Sequence, residues 1–197
     1  MGLDIYFKAK RKNETLRKAY DEACAELEVA EKRLNDAEAC ETSKREALGL
    51  SNVILIPDET PDETPDEIRE MRSELAKLDK RYDDAYESLY SEAAYFRKVN
   101  FLLPYFGYEE NLSEIVISRC EVEELVDDCK RVLAAKDTDE AESVADELLP
   151  TEAGFFFGST DYNEWYFEDV QKVADKFTEI LETFDFDENE LVMSCWW

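Results

Sequence analysis

The chain has 197 residues, 44% hydrophobic and 12% aromatic, with 50 acids against 23 bases, no histidine, and a net charge of −27. The composition is globular, and its sign argues against a binder of nucleic acid or anionic membrane, both of which select positive surface. Residues 101–197 hold 20 of the 27 net charges alongside many Phe, Tyr and Trp, so the charge sits on a segment able to fold rather than on an aromatic-poor acidic tail.

In chain order, Leu3 to Phe7 alternates as a strand does. From Leu16, apolar or small residues recur at 4-3-4-3 spacing through Tyr20, Ala23, Leu27, Ala30, Leu34 and Ala37, fading at Glu41 and Lys44 before Leu48. The same repeat returns at Ile68 and runs through Met71, Leu75, Leu78, Tyr82, Ala85 and Leu89, slips at Glu92, and continues to Phe96 and Val99. Two heptad helices of similar length predict an antiparallel coiled-coil hairpin with alanines facing larger residues. Between them, Val53–Ile56 reads as a short strand or an apolar plug. The repeat PDETPDETPDE from Pro57 reads as a stiff connector ending in a proline and acids that suit a helix start.

Pro104 and Gly107 end the helical pattern. A strand is expected over Glu114 to Ser118, and a helix over Glu121 to Ala135 that buries Val122, Leu125, Val126, Cys129, Val132 and Leu133. A shorter helix spans Thr138 to Leu149. Gly154-Phe-Phe-Phe-Gly158 reads as an extended stretch with Phe155 and Phe157 facing one way, in the core by preference, with an aromatic pocket or exposed anchor for a partner as the alternative. Ser159, Thr160 or Asp161 then caps a helix from about Asn163 to Phe184 that carries Trp165, Tyr166, Asp169 and Val173. A last strand over Glu190 to Trp197 is expected to pair with the first. The fold class is α+β, mostly helical: a hairpin arm at 13–100 inserted in an acidic domain made of 1–12 and 101–197.

Without histidine, the usual catalytic triads and the commonest general base are missing. Five cysteines form no CxxC pair, no phosphate-binding glycine loop occurs, and Asp185 to Asn189 starts like a calcium loop but has Glu190 where glycine is required. No cofactor, no metal and no enzymatic activity are expected. The free thiols, and the lack of a signal peptide or a membrane span, point to a reducing cytoplasm.

Several motifs carry a resemblance. Met1-Gly-Leu-Asp-Ile-Tyr6, Phe96-Arg97-Lys98-Val99-Asn100, the segment LPTEAGFFFGSTDYNEWY, and Ser194-Cys195-Trp196 together resemble a family of small phage and prophage proteins of unassigned function. Ile5, Val99, Cys195 and the additional Trp197 depart from its pattern. The resemblance implies a viral accessory protein and supplies no catalytic residues.

Acidity and the phage resemblance together lead to the expectation of an inhibitor of anti-CRISPR or nucleic-acid-mimic type. Its partner would be a basic host protein, a nuclease or CRISPR effector, whose phosphate-binding channel it occupies. The acids expected at that contact are Glu121, Glu123, Glu124, Asp127 and Asp128 on one helix and Asp139, Glu140 and Glu142 on the next, with Trp196 and Trp197 as exposed anchors. Two alternatives stand beside it: a coiled-coil scaffold, homodimeric through the arm, and a carboxylate-metal enzyme.

Overall fold

A computed structural model describes residues 2–47, 65–109 and 113–197. The Val53–Ile56 run, most of the PDET repeat and Leu48 lie outside the described residues. The chain divides into two compact units, residues 13–89 and residues 1–12 with 90–197.

The first unit is the hairpin. Helix α1 (Glu14–Ala47) and helix α2 (Asp66–Leu89) lie antiparallel, with Tyr20 against Tyr82 and Tyr86, Glu26 paired to Arg81, and Glu38 to Arg72 at 2.8 Å. The heptad residues face inward: Ala23, Leu34 and Ile68 are buried, while Leu16, Leu27, Ala30, Met71, Leu75, Leu78 and Ala85 are half-buried. A pair of helices cannot enclose its own seam, so burial stops halfway at most positions.

The second unit is a four-stranded sheet with helices on one face. Strands β1 (Asp4–Arg11), β2 (Tyr90–Arg97), β3 (Ile115–Ile117) and β4 (Asn189–Trp196) stand in the order β2-β1-β4-β3, every pairing antiparallel. The expected pairing of first and last strands is present, with Ile5 opposite Cys195 and Phe7 opposite Met193. Because side chains alternate across a strand, that register sends Ile5, Phe7, Leu191 and Met193 to one buried face. Helices α3 (Leu102–Phe106), α4 (Arg119–Ala135) and α6 (Glu164–Thr183) contribute to the same core. The α6 residue Phe177 meets Phe7 edge-on at 4.9 Å between ring centres and stacks on Phe96 at 5.9 Å. Helix α5 (Ala141–Leu148) adds Ala145.

Three expectations are corrected. The second heptad helix ends at Leu89 rather than reaching Val99, because Tyr90–Arg97 is drawn into the sheet, where Ala94 and Phe96 join the core. A register shift between Phe7 and Lys8 lets β1 pair with Ala94 and then Glu92, leaving Ala93 as the bulged residue. The two compact units accordingly divide at Leu89/Tyr90. The Gly154–Gly158 stretch is a turn and not a strand, with Phe157 N–H donating to the Gly154 carbonyl at 3.2 Å. Finally, α6 is capped by Asn163, whose Oδ1 accepts from the N–H groups of Trp165 and Tyr166, rather than by Ser159, Thr160 or Asp161.

Candidate interaction surface

The five acids expected on α4 are held within the helix that carries them. Glu121 closes a capping box, its carboxylate accepting from the Ser118 N–H at 2.7 Å while its own N–H donates to Ser118 Oγ. Glu123 pairs with Arg119 at 3.0 Å, Asp127 with Lys130 at 3.5 Å and Asp128 with Arg131 at 2.8 Å. Asp128 also accepts from the Tyr105 hydroxyl, whose pKa is raised by burial and then by that carboxylate. Glu124 lies 3.8 Å from the Cys120 thiol and pushes its pKa upward.

The acids in and around α5 differ. From Asp137 to Asn163 the sequence contains eight acids and no base. Asp137, Asp139, Glu140, Glu142, Asp146, Glu147, Glu152 and Asp161 are all exposed, and none has a salt bridge among the described residues. Asp139, Glu140 and Glu142 thus present net charge, whereas most of the α4 group is partly neutralised at home. Amphipathic spacing locates both sets; only the local supply of Arg and Lys separates them.

The aromatic segment is joined directly to this acidic stretch. Tyr162 donates to Asp146 at 2.7 Å, the Thr151 N–H donates to the Tyr162 hydroxyl at 3.4 Å, and Tyr166 donates to the Leu149 carbonyl at 2.9 Å. Further tethers fix the turn to the sheet end. The Leu3 N–H donates to the Phe156 carbonyl at 3.1 Å, and buried Asn100 donates through Nδ2 to the Ser159 carbonyl at 3.1 Å. Thr151 Oγ1 donates to the Thr160 carbonyl at 3.0 Å. Gly158 stands at φ +97°, a left-handed conformation open to glycine. The start of β1, the end of β2, the aromatic turn and the end of β4 therefore meet at one end of the sheet, where the Lys98 N–H donates to the Leu3 carbonyl and Phe157 packs on Trp197.

Phe155 is 94% exposed, which corrects its placement in the core; Phe157 is half-buried, edge-on to Trp197 at 5.4 Å. Trp165 is 72% exposed. Of the two terminal tryptophans, Trp196 is 60% exposed as expected, but Trp197 is half-buried between Phe157 and Tyr108. Phe155 lines a cleft with Glu152, and Trp165 lines another with Asp161.

Among the described residues, no three His, Cys, Asp or Glu side chains gather as metal ligands, and no helix is long and apolar enough to cross a membrane. No family model, no curated protein and no solved structure matches the chain.

Proposed function

We propose that the protein is a phage-encoded acidic interaction protein that binds a basic nucleic-acid-handling surface of a host nuclease or CRISPR effector and blocks it. The observation that carries this reading is the run from Asp137 to Asn163, with eight exposed acids, no base and no internal ion pair among the described residues. Unpaired charge costs nothing to detach from a partner inside the molecule, so it is available to a cationic groove and steers the encounter. The phage origin rests on the motif resemblance, whose segments meet at the sheet end beside that surface.

The test is DNA cleavage by a panel of host nucleases and CRISPR effectors with and without the protein, at low and high salt. Inhibition that weakens with salt and is relieved by the triple change Asp139→Asn, Glu140→Gln, Glu142→Gln supports the reading. Absence of inhibition across the panel counts against it.

A homodimer through the arm is a second reading, favoured by Val29. This residue lies off the heptad seam, is 60% exposed, and borders a groove with Ala25, Ala30 and Leu78. Concentration-dependent mass that is lost on Val29→Glu is its signature.

A further inference from the structure

Beside the aromatic turn lies a cleft of about 360 Å³ lined by Leu103, Tyr108, Phe155, Phe157 and Trp197, with Glu152 as its one charged wall residue. We propose that this cleft takes an apolar side chain from a cationic peptide segment, a Leu or Phe flanked by Arg or Lys. The inference rests on the reading above that the partner is basic, and adds to it the apolar half of the contact.

Three observations carry it. First, the cleft is held open by construction. Its turn is tied to Leu3 just ahead of β1, the residues after it to Asn100 and Thr151, and Phe157 packs against Trp197. The 94% exposure of Phe155 therefore belongs to a fixed loop, its ring braced edge-on against Phe156 at 4.8 Å. A pre-organised exposed aromatic loses little freedom on binding, which is the physical basis of an anchor residue.

Second, the size and polarity suit one apolar side chain. The volume is at the small end of ligand clefts, and the walls are aromatic and aliphatic. Third, the surroundings select the sign of what approaches. Glu152 is in the wall, Asp146 is joined to the segment through Tyr162, and Asp161 follows the turn, all without basic neighbours in sequence from 137 to 163. Two bases stand at this end of the sheet: Lys98 lies against Gly158 and Gly2, and Arg97 lies against Gly2 and 4.0 Å from Asp4. The acids of 137–163 outnumber these two bases, so the rim disfavours nucleic acid and anionic lipid, and a second copy would bring the same acids against it.

Trp197 gives a built-in reporter. In a Trp165→Phe, Trp196→Phe background, checked for native circular dichroism, Trp197 emission is followed while three peptides are added: acetyl-Arg-Lys-Leu-Arg-Lys-amide, the same with Gly for Leu, and the same with Glu for every base. The expected result is a saturable blue shift with the first peptide, weakening about tenfold or more for the Gly version, since burying a Leu side chain supplies that difference. Phe155→Ala removes the advantage of Leu over Gly. Equal binding of the Leu and Gly peptides overturns the cleft while leaving the basic-partner reading in place. Equal binding of the Glu-flanked peptide overturns both. A shift that depends on protein concentration without peptide assigns the cleft to a second copy and also overturns the proposal.

Discussion

The ring of Phe157 occupies the space that a side chain at Gly154 would need: a Cβ built there would lie 2.5 Å from Cδ2 and 2.6 Å from Cγ of that ring. Glycine at 154 is therefore a packing requirement, and it allows Phe157 to fold back beneath the turn and reach Trp197. Gly154→Ala is expected to expel Phe157, loosening the cleft while sparing the sheet. In the Trp165→Phe, Trp196→Phe background, Trp197 emission should move to longer wavelength with little change in far-ultraviolet circular dichroism, and unchanged emission would show that the ring tolerates the methyl group.

Phe155 and Phe177 make an opposed pair. Phe177→Ala removes a ring packed on Phe7, Phe96 and Phe106 and is expected to cost about 3–5 kcal/mol. Phe155→Ala, at a position open to water, should stay within about 0.5 kcal/mol of the parent. Urea unfolding of both variants checks this, and a large loss at Phe155 would return that ring to the core.

In the hairpin, Ala23 is buried in the seam. Ala23→Leu adds volume where the two helices approach and is expected to destabilise the arm by about 1–3 kcal/mol. Thermal unfolding followed at 222 nm reads the change, and an unaltered curve would contradict close seam packing at this position.

Burial pushes the thiol pKa of Cys129 from 9.0 up to about 12, and that of Cys195 likewise to about 12. Between those values the unfolded chain releases thiol protons that the folded chain retains, so folding stability falls as pH rises. The contribution is fully present below pH 9 and is lost as pH climbs toward 12. Cys129→Ala should flatten the fall in melting temperature across that window relative to the parent. An identical slope would mean that Cys129 does not hold its proton in the folded state.

The sequence made the periodic elements legible. Heptad spacing located the hairpin seam, and the buried stripe of α4 from Val122 to Val132 follows directly from helical periodicity. Strand β2 was hidden because Ser91-Glu-Ala-Ala94 favours helix locally and its apolar spacing continues the heptad; pairing with β1 overrides that preference. The aromatic turn was misread because three consecutive Phe residues resemble a buried strand. The tethers that make it a turn come from Leu3, Asn100 and Thr151, two of them distant in sequence. The acids on α4 and α5 look alike in composition and differ in their pairing.

The proposed contact for a basic surface is the set of unpaired acids of the α5 region. The most direct measurement compares affinity for the basic peptide acetyl-Arg-Lys-Gly-Arg-Lys-amide across salt for the parent, for Asp139→Asn, Glu140→Gln, Glu142→Gln, and for a control neutralising Glu123, Asp127 and Asp128. The α5 set is expected to weaken binding and flatten its salt dependence, whereas the α4 set, already paired to Arg119, Lys130 and Arg131, is expected to have the smaller effect. Equal losses from both sets, or binding indifferent to salt, would contradict it.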